Sequence, residues 1–161
     1  MLVPAAAMAD NMTDGGAEFT LSGVGSSNQD VDAGSASVEG GLGIFIGPMF
    51  SVGVRQSVGY NDFGAGTNVN ASSRGFADLQ FNLGRFAPFI GANVGYIYGD
   101  GVNDTFAAGP EAGVKFYLGE THDVFLYGRV EYQFFFDEGD ALEDVYEDGQ
   151  FNYSIGVGVR F

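Results

Sequence analysis

The sequence predicts an all-β chain, an eight-stranded antiparallel up-and-down transmembrane β-barrel. Three observations carry this expectation. Apolar residues recur at every second position along most of the 161 residues, which is the period of a strand. Short connections alternate with long ones, as in barrels with tight turns on one side of a membrane and loops on the other. The charged strand residues all fall on the face opposite the apolar set.

The elements follow in order. AEFTLSGVG is a weak first strand with Phe19 and Leu21 on its apolar face. SASVEGGLGIFI presents Val38, Leu42, Ile44 and Ile46, and MFSVGVRQSVGY presents Phe50, Val52, Val54, Val58 and Tyr60, with Gln56 as an exception. RGFADLQFNL gives Ala77, Leu79, Phe81 and Leu83; PFIGANVGYIY gives Ile90, Ala92, Val94, Tyr96 and Tyr98. FAAGPEAGVKFYL gives Phe106, Ala108, Ala112, Val114, Phe116 and Leu118. VFLYGRVEYQFFF gives Val124, Leu126, Val130, Tyr132, Phe134 and Phe136. The last strand, QFNYSIGVGVRF, gives Phe151, Tyr153, Ile155, Val157, Val159 and Phe161. Segments of this length cross a bilayer at a tilt. Short turns are expected at 47–48, 84–87 and 119–123, and long loops at 26–34, 61–72, 99–105 and 137–149. Pro110 lies inside the sixth strand, where it removes a ladder hydrogen bond, so a bulge or a late strand start is expected there.

Alternation alone also fits a soluble lipocalin-like barrel with its oily face inward. The charges separate the two. Of six basic residues, Arg85 lies in a turn, while Arg55, Arg74, Lys115, Arg129 and Arg160 share the face opposite the apolar set. Glu18, Glu39, Asp78, Glu111 and Glu131 lie on that face as well. Ten charges on one face would arise by chance about once in a thousand while parity holds. The face sums to zero, so the net −15 arises from the other 16 of the 21 acids, set against Arg85. It is rich in Gly and carries bulky Phe45, Phe76, Phe89, Phe125, Tyr127 and Phe135. Small beside large, with balanced charge, suits a narrow lumen in which ions pair. The apolar face then meets lipid, with aromatics gathered near both strand ends as two girdles.

Composition excludes other classes. No cysteine is present, so there is no thiolate chemistry or disulfide framework. Strong acidity argues against a nucleic-acid partner. No apolar run is long enough for a transmembrane helix. Residues 1–16 read as a signal-peptide remnant or flexible leader, with Ala7-Met8-Ala9 before Asp10 fitting a cleavage site. The barrel domain spans 17–161.

YSIGVGVRF, PFIGANVGYIYGD and FAAGPEAGVKFYLG resemble strands of the superfamily of small bacterial outer-membrane barrels that includes the OmpA transmembrane domain and OmpX. The resemblance runs from about Ala17 to the end. It implies a multi-pass barrel in a Gram-negative outer membrane with both termini periplasmic. It also implies that the closing aromatic strand, with Tyr153 and Phe161, serves as the signal read by the barrel assembly machinery. Outer-membrane lipids and lipopolysaccharide are the other implied partners. The peptidoglycan-binding part of full OmpA proteins is expected to be absent.

Chemistry is sparse. Some barrels of this size act on lipid A, and a hydrolase would need a His near Ser or Asp. The single histidine, His122, falls in a turn beside Asp123, and adjacent turn residues do not make a dyad, so no enzyme and no cofactor are expected. The lumen candidates are Glu39, Arg55, Arg74, Asp78, Glu111, Lys115, Arg129, Glu131 and Arg160. The loop DEGDALEDVYEDG holds Asp137, Glu138, Asp140, Glu143, Asp144, Glu147 and Asp148. It lacks EF-hand spacing and reads either as a solvated, self-repelling loop or as a weak Ca²⁺ or Mg²⁺ bridge to lipopolysaccharide. The polar stretch 61–73 reads as a mobile loop open to a surface partner or self-association. The expected role is structural and surface-facing, with a plugged lumen. A narrow porin-like channel is the alternative, since inward glycines leave room for a water path. A soluble lipocalin-like carrier is the third reading.

Overall fold

The computed structural model describes residues 16–27, 34–62, 67–99, 105–119, 123–136 and 149–161. Eight strands form: β1 Ala17–Ser27, β2 Gly34–Phe45, β3 Phe50–Asp62, β4 Thr67–Gln80, β5 Phe86–Gly99, β6 Thr105–Leu118, β7 Val124–Phe136 and β8 Gln150–Arg160. Each pairs antiparallel with its sequence neighbour, and β1 pairs with β8, so the barrel is closed. The seam is held beyond the strands too: Ala17 N donates to Phe161 O at 2.8 Å and Phe161 N to Ala17 O at 2.9 Å. Both described chain ends therefore lie at one end of the barrel, with the connections 46–49, 81–85 and 119–123. The expected leader, His122 and the acid-rich loop 137–148 lie outside the described residues.

The turns at this terminus-side end use glycine for its backbone freedom: Gly47, Gly84 and Gly119 have φ of 88°, 74° and 76°. The expected contrast in connection length is corrected at the far end. Strand bounds leave only 28–33, 63–66 and 100–104 between strands there, and 137–149 is the single long connection. The expected loop 61–72 is mostly strand, because β3 and β4 pair out to Asp62↔Thr67. Val69 is exposed, while Ser72 is buried in the barrel, so alternation continues through this polar run.

Pro110 is also corrected. It produces neither a bulge nor a late start. Strand β6 runs unbroken from Thr105, and Ala92↔Pro110 pair on the β5 side. On the β7 side the pairing resumes in the same register, from Ala108↔Phe134 to Glu111↔Glu131, skipping only Gly109 and Pro110. Proline offers no N–H to that ladder. Glycine is required beside it: a Cβ on Gly109 would sit 1.7 Å from the carbonyl oxygen of Tyr132.

Register fixes the shape. Following the register from Ala17 through Ile44, Val52, Ala77, Ala92, Pro110, the opposite position Tyr132 and Phe151 leads back to β1 at Ser27, ten residues further along. A stagger of ten over eight strands, at about 3.3 Å per residue and about 4.8 Å between strands, tilts the strands by about 40°. Aromatic rings mark two levels. Phe86 and Phe116 meet at 4.9 Å near the terminus-side end; Tyr96 meets Phe106 at 4.9 Å, and Tyr132 meets Phe151 at 4.8 Å, near the far end. Phe106 and Phe116 are ten residues apart on β6, which at that tilt is about 25 Å of height, the thickness of a transmembrane apolar band.

The two faces are inverted relative to a soluble protein. Ile155, Val54 and Val38 are 79%, 63% and 60% exposed, whereas Glu39, Glu131 and Arg129 are buried. A soluble carrier with its oily side inward is thereby ruled out by the fold. Gln56, the exception on the outer face, is exposed and tied laterally: its Nε2 donates to Tyr98 Oη at 2.9 Å, and its Oε1 accepts from Ser73 Oγ at 2.5 Å.

Candidate functional site in the barrel lumen

Alternate residues of every strand point inward, and the tilt decides which of them meet. Arg55 on β3 and Arg74 on β4 are direct cross-strand partners. On the facing wall, Glu111 on β6 and Glu131 on β7 are direct partners as well. Like charges side by side repel. Here each cation reaches across the lumen instead. Arg55 binds Glu111 through both terminal nitrogens at 2.7 Å, and Arg74 Nη1 donates to Glu131 Oε1. The bidentate Arg–carboxylate fork is the strongest geometry available to such a pair.

Three tiers result. Nearest the far end, Arg74 and Arg129 share Glu39 and Glu131. Arg129 Nη2 donates to Glu39 Oε1 at 2.8 Å and to Ser154 Oγ at 2.9 Å, while Asn152 Nδ2 donates to Glu131 Oε1 at 3.0 Å. Below them Arg55 adds Asp78 at 3.3 Å to its grip on Glu111, and its guanidinium stacks 3.8 Å over Phe76. Asn93 joins these tiers by donating to Glu111 at 2.7 Å and to Glu131 at 3.2 Å. Near the terminus-side end Lys115 Nζ donates to Glu18 Oε2, and Tyr117 Oη donates to Glu18 Oε1 at 3.2 Å. The ammonium is ringed by Phe45, Phe89 and Phe125, with centroids 5.5, 5.7 and 5.1 Å away.

Eight of the nine lumen residues expected from the sequence are thus brought into this network. Arg160 is the correction. It stands at the last position of β8, directly opposite Glu18 on β1, and stacks 4.1 Å over Phe45. Among the described residues it makes no ion pair: the carboxylate of Glu18, its strand partner, is taken by Lys115 and Tyr117. The sequence places Glu18 and Phe76 on the right face without marking them as site residues, and Asn93, Asn152 and Ser154 were not among the expected site residues. Parity was the available signal: Asn93 lies between outward Ala92 and Val94. Tyr153 and Phe161 are both exposed on the outer face.

Inward glycines are sockets for aromatic rings. A Cβ on Gly53 would lie 2.6 Å from the Phe76 ring, one on Gly113 2.5 Å from Phe89, and one on Gly158 2.2 Å from Phe125. Each ring belongs to the glycine's direct partner on the adjacent strand and occupies the room that the glycine leaves. Small cavities remain among the described residues. One, of about 70 Å³, lies at the far end among Ser57, Ser72, Asn70, Gln133 and Asn152. Another, of about 30 Å³, lies between the Arg55 and Lys115 tiers. The arrangement holds its charges in paired form.

Together the closed register, apolar exterior and paired interior define a small transmembrane β-barrel of eight strands. Solved structures of that class match over nearly the whole chain. The N-terminal barrel domain of Pseudomonas aeruginosa OprF superposes with a TM-score of 0.62 at 15% identity, covering 92% of this chain and 100% of that one. Neisserial surface protein A, NspA, gives 0.61 at 16% identity, with coverage of 92% and 96%. Ail of Yersinia pestis, crystallised with the heparin analogue sucrose octasulfate, gives 0.60 at 12% identity, with coverage of 92% and 100%. Identities this low speak for the fold. No protein-family model and no curated protein matches the sequence.

Proposed function

We propose that this protein is a structural barrel of a Gram-negative-type outer membrane, sealed along its axis and presenting its far-end connections at the cell surface. The observation that supports this reading is the cross-lumen network itself. Arg55, Arg74 and Arg129 reach from their own walls to carboxylates on others, so a solute path would require several buried pairs to part at once. Parting one such pair leaves an uncompensated charge, at about 3–5 kcal/mol. Recording in a planar bilayer tests the reading: no unitary conductance agrees with it, and stable stepwise conductance replaces it with the narrow-pore alternative.

The outer-membrane assignment rests on the apolar band of about 25 Å between aromatic rings and on the fold shared with OprF, NspA and Ail. Periplasmic termini follow if the three glycine turns face inward to the cell, and protease protection of an N-terminal tag in whole cells tests that. The closing strand with exposed Tyr153 and Phe161 is then the segment offered to the assembly machinery. At the surface, the seven acids of 137–148 repel lipopolysaccharide phosphates unless a divalent cation intervenes. Calorimetric titration with calcium tests this bridge, and no heat at millimolar calcium removes it. The role is non-catalytic, so lipid A from expressing cells should be recovered unmodified.

A further inference from the structure

We propose that the cavity of about 30 Å³ inside the lumen is the site of a resident water molecule. Two buried atoms point to it. Asp78 Oδ1 and Arg129 Nε both belong to side chains that line this cavity, and neither has a hydrogen-bond partner among the described residues. One is an acceptor and the other a donor. Arg129 Nε lies 3.4 Å from Glu131 Oε2, near enough for attraction but without a hydrogen bond. The residues themselves are 4% and 3% exposed, and buried polar atoms without partners are the usual hosts of internal water. A void above roughly 15 Å³ admits one such molecule.

The walls select water over an ion. Lys115, Arg55 and Arg129 face Asp78 and Glu18 across the cavity. An anion would meet both carboxylates and a cation would meet three basic groups. A neutral molecule that both donates and accepts satisfies Asp78 Oδ1 and Arg129 Nε together. Thr20 lines the same cavity and brings a third polar side chain to it. Bridging Asp78 to Arg129 gives the two arginine tiers a second link beside Asn93.

Water-to-protein nuclear Overhauser spectroscopy on the barrel in nanodiscs tests this at the Arg129 Nε proton. The expected result is a cross-peak with the sign of a long-lived contact; its absence overturns the site. Asp78→Leu removes the acceptor and should abolish the cross-peak, and retention there overturns the proposal too. Asp78→Asn keeps an acceptor oxygen and should preserve it, which holds the test open if the leucine variant does not fold. Conductance is a separate readout. A silent barrel without the cross-peak removes the water and leaves the sealed lumen standing; a conducting barrel with the cross-peak does the reverse.

Discussion

Arg55 and Arg74 stand as direct partners on neighbouring strands, both buried in the lumen, with no acid between them. Their repulsion is offset across the barrel, where Glu111 and Glu131 form the matching pair on β6 and β7. The two like-charged pairs bind each other, and that attraction runs through the lumen. Ion pairs that cross the lumen tie its walls together.

Removing one member of this clasp should therefore cost more than removing a surface pair. Glu111→Gln leaves Arg55 with only Asp78, at 3.3 Å. The expected loss is about 3–5 kcal/mol, read as a lowered urea midpoint for unfolding from lipid vesicles. Exchanging the two groups, Arg55→Glu with Glu111→Arg, should recover part of the loss. A single substitution within 0.5 kcal/mol of wild type would show that the pair does not hold the walls.

The glycine sockets make a second prediction. Gly158→Ala places a methyl group 2.2 Å from the Phe125 ring, which is fully buried. Overpacking of this kind costs about 1–3 kcal/mol. Phe125→Leu in the same chain should relieve most of it, so a double-mutant cycle gives a coupling of the opposite sign. Additive losses would contradict the socket.

At Pro110 the expectation is a gain. Pro110→Val restores an N–H opposite Tyr132 in a register already in place. One recovered ladder bond is worth about 0.5–1.5 kcal/mol. Amide exchange at Tyr132 and Gln133 should slow in the variant. Unchanged exchange would mean that the skip in the ladder has a cause other than the missing donor.

Much of this architecture is legible in the sequence, and the reasons differ by feature. Strand number and facing follow from parity, which no bulge interrupts: the register stays constant along every pair described, even across Pro110. The extent of β4 does not follow. TNVNASS reads as a loop because its inward Asn70 and Ser72 are polar and its outward Ser73 is polar too, so alternation is masked where the strand leaves the apolar band. Charge partners are also hidden. Parity assigns Arg55 and Glu111 to the lumen, but a separation of 56 residues and a stagger of ten decide that they meet. Nor does parity show that Glu18, the strand partner of Arg160, is taken by Lys115.

The exterior supplies the last prediction short of the central test. Ile155 lies on β8 within the apolar band and is 79% exposed. Ile155→Arg should cost about 2–4 kcal/mol in a bilayer, measured by unfolding from vesicles. In a detergent micelle, where the head can find water, the penalty should shrink. An equal and negligible effect in both would deny that this face meets hydrocarbon.

The most direct test of the whole account is accessibility by spin label. Labels at Val157 and Val130, on the outer face, and at Asn152, in the lumen, are each challenged with oxygen and with a water-soluble nickel complex in lipid vesicles. Val157 and Val130 should relax with oxygen and ignore nickel, while Asn152 should be shielded from the lipid-borne oxygen. Nickel relaxation at Val157 with oxygen relaxation at Asn152 would contradict the account, because the lumen and the lipid face would then be exchanged.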